Sequence, residues 1–148
     1  MSSMSFISKT TAFLGMPALR NLVSDSIAID MGSATTVIYV RGRGVVVDEP
    51  SLVAISTKTG DVLAIGTEAQ KLYGRESREV TVIAPLVNGV VADFERTRAM
   101  LEFFVRKARG GVSYFSRRAL MSVVSDVTQV ERRALLNAAE HARIGRVG

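Results

Sequence analysis

Cysteine is absent from the 148 residues, and histidine occurs once, as His141. Without thiols there is no disulfide frame, no thiolate nucleophile and no Cys-ligated zinc or iron–sulfur centre. One imidazole cannot build a His-rich metal site. A chain without cysteine is most simply read as cytoplasmic. Proline is scarce, 3 residues against 12 glycines, which excludes a collagen-like or low-complexity chain. Long apolar runs are missing too: nothing approaches the ~20 residues that span a bilayer. What is there is 47% apolar and 22% charged, a composition that excludes intrinsic disorder. At this length folding buries roughly 70% of the unfolded surface, enough for one domain with a real core.

The net charge is +5 and the isoelectric point about 10.1. A basic balance favours anionic partners: nucleic acid, an acidic membrane or nucleotide phosphate. The excess is spread in small groups, Arg41 with Arg43, Arg106 with Lys107 and Arg109, Arg117 with Arg118, and Arg132 with Arg133. No aromatic side chains interleave with them as a base-stacking surface requires, so a nucleic-acid partner is not expected.

The first 24 residues differ from the rest, with Lys9 and Arg20 as their only charged side chains. Phe6, Ile7, Phe13 and Leu14 recur one heptad apart and would share a helical face. Pro17 would break or restart such a helix. Interruption by Ser, Lys and Thr argues against a secretory signal. A disordered leader and a short amphipathic helix in a membrane interface both remain open.

From residue 26 onward the texture is that of strands and turns. Residues 26–30 (SIAID), 35–40 (TTVIYV), 45–47, 52–56, 62–65, 80–84 and 90–92 read as short strands around glycine-containing turns. Asn88 with Gly89 is a strong hairpin signal. A short helix over 68–73 stops at Gly74. Thr97, Met100, Leu101, Phe104, Val105 and Ala108 follow helical spacing and end at Gly110 and Gly111. Residues 119–124 return to strand texture. Thr128 and Glu131 then form a capping box, each satisfying the other's amide, at the start of a last helix with a Val130, Ala134, Ala138, Ala142 stripe. Such a helix calls for a strand returning to the sheet, and the sequence stops where that strand would begin. The alternation indicates an α/β chain.

The most informative segment is Asp30, Met31, Gly32, Ser33, Ala34, Thr35 and Thr36. An acid at a strand end can hold a hydrated Mg²⁺. Glycine and small residues let backbone amides approach a phosphate, and Ser33, Thr35 and Thr36 add hydroxyls. Taken alone, the pattern is also that of an ordinary hairpin. Glu131 reads as a cap rather than a catalytic group. Asp93 either supports a site or caps the helix after it. His141 suits the C-terminal end of a helix dipole. Arg132 and Arg133 read as a solvated face. No Ser, His and Asp spacing suggests a triad, and no catalytic residue is assigned.

Residues 26–147 resemble the N-terminal half of the MreB family, the bacterial actin homologues that determine rod shape. The family's phosphate loop reads like IDLGTANT, and here Ile29 to Thr36 reads IDMGSATT. VRGRGVVVDEPSLVAI, VLAIGTEAQKLYGR, NGVVADFE and VTQVERRAL follow in the family's order and spacing. The resemblance implies the first half of an actin-like ATPase (ribonuclease H-like) fold: a mixed sheet with flanking helices plus a small β-rich subdomain inserted at about residues 54–91 of a unit covering 25–148. It implies ATP with Mg as cofactors, a phosphate loop of Asp30, Gly32, Ser33, Ala34, Thr35 and Thr36, and Asp30 near the metal through water. It also implies membrane-associated filaments at the inner face of the cytoplasmic membrane. Phe6, Ile7, Phe13 and Leu14 would supply one anchor, and Tyr114 and Phe115 beside Arg117 and Arg118 the other. The implied partners are further MreB-like subunits and cell-shape membrane proteins.

The departures bear on activity. Thr35 stands where the family has Asn, and Val124 and Asp126 replace Pro and Gly; Asp126 adds a charge that repels phosphate. The family's catalytic glutamate, second phosphate loop and adenosine-binding segment have no counterpart before residue 148. The expectation is a truncated MreB-like polypeptide that binds nucleotide weakly and does not hydrolyse it. The alternative is a non-enzymatic, membrane-associated module that binds full-length MreB or its partners.

Overall fold

The computed structural model describes residues 26–110, 118–122, 128–141, 144 and 146–147. Strict alternation governs β1 (Ser26–Met31), where Ile27, Ile29 and Met31 are buried while Asp30 is exposed. β2 (Thr35–Val40) repeats the pattern with Thr36, Ile38 and Val40 inside. The two pair antiparallel with Ile29 opposite Ile38. β3 (Gly44–Pro50) continues the meander against β2, with a register shift between Ile38 and Tyr39. It runs longer than residues 45–47, because Asp48 and Glu49 continue its in–out alternation.

A three-stranded sheet follows. β4 (Val53–Ser56) lies between β5 (Val62–Ile65) and β6 (Val80–Ile83), antiparallel to both. Between β5 and β6 comes a single turn of helix, α1 (Thr67–Gln70), shorter than the expected 68–73. Turns carry the chain on to Gly74, whose φ of +75° only glycine adopts without strain. β7 (Leu86–Val87) and β8 (Val90–Val91) form a hairpin on Asn88 and Gly89, with φ of 50° and 77°. Two successive left-handed residues are what a type I′ turn requires.

The helix α2 (Phe94–Arg109) begins where Asp93 Oδ1 accepts from the Arg96 amide at 3.1 Å. It ends on left-handed Gly110. Glu95 in its first turn and Arg106, Lys107 and Arg109 in its last complement the helix dipole. β9 (Arg118–Ser122) pairs parallel with β1, and α3 (Gln129–His141) leads to β10 (Arg146–Val147), parallel to β9. The sheet order is β10-β9-β1-β2-β3.

The main core lies on one face of this sheet. Ile27, Ile29, Ile38 and Val40 meet Met100, Leu101, Phe104 and Val105 of α2 and Leu135, Ala138 and Ala139 of α3. Each large side chain there contributes about 1.5–3 kcal/mol by leaving water.

Two expectations change. The buried stripe of α3 is Leu135, Ala138 and Ala139, not the line from Val130 through Ala134; Val130 is 78% exposed. An i, i+4 line drifts about 40° per step around a helix, and one buried leucine outweighs several alanines in apolar area. The returning strand also does form, as the two residues of β10. Phe6, Ile7, Phe13, Leu14, Tyr114, Phe115, Arg117, Val124 and Asp126 lie outside the described residues.

Candidate functional site

The loop between β1 and β2 sits at the carboxyl ends of the parallel strands β1 and β9. Asp30 is exposed there, in register with Ser122 of β9 and Val37 of β2. In α/β sheets, ligands bind outside the carboxyl ends of strands. The turn itself is tight: the Gly32 amide donates to the Thr35 carbonyl at 3.0 Å. A Cβ on Gly32 would lie 2.8 Å from that carbonyl oxygen, so only glycine fits.

Long-range partners fix the loop. The Ser51 hydroxyl donates to the Gly32 carbonyl at 2.6 Å, and the Ser51 amide donates to the Ala34 carbonyl at 2.9 Å. Thr36 Oγ1 and Ser51 Oγ are 2.9 Å apart, and both residues are fully buried. The Gly89 amide donates to Ser33 Oγ at 2.6 Å, tying the loop to the β7–β8 turn. An accepting hydroxyl keeps its own proton, so Ser33 still has a hydrogen to donate. Of the residues singled out in the sequence, Asp30, Gly32, Ser33, Ala34 and Thr35 come together on the accessible turn. Thr36 instead faces the interior. Ser51 carried no signal in the sequence, since nothing local says that a serine after a proline lies under a turn 19 positions away.

A second cluster was equally illegible. Glu49 is buried at 8% exposure, and its Oε2 accepts from the Thr67 amide at 2.7 Å and from Thr67 Oγ1 at 2.6 Å. Its Oε1 accepts from Lys107 Nζ in an ion pair. Burial pushes the carboxyl up. The hydrogen bonds from Lys107 and Thr67, together with the Lys107 charge, more than offset this and hold it below the usual carboxylate value. Gly66 leaves room for the cluster, since a Cβ there would come 2.6 Å from Glu49 Oε2. The cluster joins β3 to the start of α1 and to the last turn of α2.

The remaining candidates have structural partners. Glu131 accepts from the Thr128 amide at 2.8 Å, while Thr128 Oγ1 accepts from the Glu131 amide at 3.2 Å. Hydrogen bonds from Thr128 hold the Glu131 carboxyl below its usual value. His141 Nδ1 lies 2.8 Å from the Asn137 carbonyl on an exposed helix end. Arg132 and Arg133 are exposed. Among the described residues, no three of His, Cys, Asp or Glu come together as a metal cage, and no helix is long and apolar enough to cross a membrane.

The family model for MreB/Mbl protein matches residues 24–147. The chain belongs to the MreB/Mbl family. The cell shape-determining protein Mbl of Bacillus cereus is 45% identical over 117 residues, which cover 78% of this chain and 35% of that protein. The crystal structure of MreB5 of Spiroplasma citri bound to ADP superposes with a TM-score of 0.73 at 33% identity, over 84% of this chain and 37% of that one. The MamK double helical filament has the same fold, with a TM-score of 0.65 at 20% identity, over 83% of this chain and 40% of that one. The chain thus spans about a third of the length of the curated relative it matches. The fold is the first part of an actin-like α/β architecture, as the MreB-family resemblance implied.

Proposed function

We propose that this chain supplies the first phosphate-binding loop of a nucleotide-dependent, filament-forming protein that acts in cell-shape determination. One observation carries the reading: a glycine-tight loop of small hydroxyl residues, next to an exposed acid, at the carboxyl ends of β1 and β9. That loop suits a nucleotide's phosphates, and the relative from Spiroplasma citri was crystallised with ADP. Gly32, Ser33 and Thr35 would contact the phosphates, Ala34 would lend its backbone, and Thr36 would hold the loop from inside. A lone carboxylate fits Mg²⁺, which keeps most of its waters, so Asp30 would hold the metal through water. When bound, the metal would neutralise phosphate charge that Asp30 otherwise repels.

Filament subunits of the same kind and the inner face of the cytoplasmic membrane are the partners in this reading. The sequence pattern of Phe6, Ile7, Phe13, Leu14, Tyr114 and Phe115 supports the membrane part. Calorimetric titration with Mg-ATP and a phosphate-release assay test the nucleotide part. The expected result for the 148-residue chain is weak binding without steady turnover, because an open site leaves phosphate in water. Micromolar affinity with turnover abolished by Asp30→Ala overturns the expectation of inactivity. No heat on titration overturns the site.

A second reading, a non-enzymatic module that binds MreB-like subunits, draws on the sheet face opposite the helices. There Leu120 is 66% exposed, Val45 60% and Tyr39 46%. Apolar patches of this kind mark association surfaces. Sedimentation with and without a full-length family member separates the two readings.

A further inference from the structure

We propose that Ser51 is a positioning residue for the phosphate loop, its buried hydroxyl setting the orientation of the Gly32–Ser33 peptide. This rests on the phosphate-loop reading above and adds to it a residue that never meets the ligand. The Ser51 hydroxyl has one hydrogen, and it goes to the Gly32 carbonyl at 2.6 Å. In the 2.9 Å contact between Thr36 Oγ1 and Ser51 Oγ, Thr36 must therefore be the donor. The result is a directed chain: Thr36 hydroxyl to Ser51 hydroxyl to Gly32 carbonyl. Thr36 and Ser51 are fully buried, so water cannot replace either link.

A trans peptide is planar, and its C=O and N–H point in opposite directions. Holding the Gly32 oxygen toward buried Ser51 therefore turns the Ser33 N–H away from it, toward the outer side of the turn. Glycine 32 would otherwise let this peptide rotate at little cost. Rotation would present a carbonyl oxygen, with its partial negative charge, to an incoming phosphate. The Ser51 amide, donating to the Ala34 carbonyl at 2.9 Å, holds the other side of the turn to the same residue. An amide aimed outward beside small residues is the element from which anion-binding concavities are built. Pre-setting it before the ligand arrives removes a reorganisation step from binding.

The test is a titration of the isotope-labelled full chain with Mg-ADP, following the backbone amide signals of Ser33 and Ala34. In the native chain both signals should move saturably. In Ser51→Ala the apparent affinity should fall at least roughly tenfold, the scale of a lost hydrogen bond to a charged group. Thr36→Val, which keeps the Ser51 hydroxyl but removes its donor, should lose a few-fold. Val105→Ala, which lowers stability from the buried face of α2 and makes no hydrogen bond to the loop, should retain native affinity. Native affinity in Ser51→Ala overturns the positioning role while the responsive native chain keeps the phosphate-loop reading. A loss in Val105→Ala that matches Ser51→Ala at equal melting temperature also overturns it, because the effect is then global. If Ser51→Ala does not fold, Thr36→Val decides, and native affinity there overturns the role. A native chain whose Ser33 and Ala34 amides ignore Mg-ADP overturns the phosphate loop and the positioning role together.

Discussion

The two ends of the five-stranded sheet are built from opposite materials. At the carboxyl ends of β1 and β9 lie Asp30, Ser122 and the Gly32–Ser33 turn, held by neutral hydroxyl and amide hydrogen bonds. At the other end the β2–β3 turn carries Arg41 and Arg43. The Arg41 amide donates to the Ser26 carbonyl at 3.0 Å, and Arg43 Nη1 donates to the Ala108 carbonyl at 2.8 Å, beside the basic last turn of α2. Strands of six residues keep the ends about 20 Å apart, beyond the Debye length of about 10 Å at 0.1 M salt. The arginines therefore contribute little attraction at the loop. In the proposed reading an anion at the carboxyl end meets amides and hydroxyls rather than Arg41 and Arg43, so the peptide orientations there matter more than the charge of the basic end.

Glycine substitutions at the two ends break the comparison most strongly. Gly32→Val puts a Cβ 2.8 Å from a backbone oxygen that cannot move without opening the hairpin. A loss on the order of 3 kcal/mol is expected in denaturant unfolding, together with loss of the Mg-ADP response. Gly42 at the basic end has φ of +81°, and a Cβ added there would have nothing within 4 Å, so Gly42→Ala costs only the left-handed strain, about 1 kcal/mol. Equal losses would mean that the carboxyl-end turn is no more tightly determined than its counterpart.

The Glu49 cluster sharpens the contrast through pH. Glu49→Gln removes the charge from a buried acceptor of Lys107 and Thr67, and the expected cost is about 1–3 kcal/mol at neutral pH. The folded chain holds the Glu49 carboxyl below its ordinary value, so the unfolded chain binds its proton more readily. The contribution is therefore fully present above the unfolded value and lost as pH falls through the lowered folded one. Unfolding curves from pH 7 down to 3 should show the native chain and Glu49→Gln converging. Curves that stay parallel would remove Glu49 from the account of stability.

What was legible in the sequence was local. Two spans, 35–40 and 62–65, match β2 and β5, and the Thr128 and Glu131 box and the Asn88 and Gly89 turn formed as written, because their determinants lie within a few residues. Ser51 beneath Gly32, Gly89 on Ser33 and Lys107 on Glu49 are separated by 19, 56 and 58 positions. No periodicity encodes such pairings, since they depend on which strands become neighbours. The face of α3 was misread for the same reason: the sheet beneath chose Leu135 over Val130.

The smallest expected effect belongs to Arg41. Its side chain is exposed, and its backbone amide, not its guanidinium, makes the contact with Ser26. Arg41→Ala should leave stability within about 0.5 kcal/mol of the native chain, as surface changes away from packed features do. Binding to vesicles is another matter, because the stretches 1–25 and 111–117 attach at this same end, to Ser26 and between Gly110 and Arg118. A cation near an anionic surface is worth about 1 kcal/mol, so Arg41→Ala should weaken co-sedimentation with phosphatidylglycerol vesicles roughly fivefold. A Phe6/Phe13/Phe115→Ser triple variant should remain in solution. The control is charge removed far from that end: Arg133→Ala lowers the net charge equally, and Debye screening should leave its vesicle binding near native. If Arg133→Ala weakens binding as much as Arg41→Ala, the vesicles read total charge, and the basic end has no orientation to impose on a membrane.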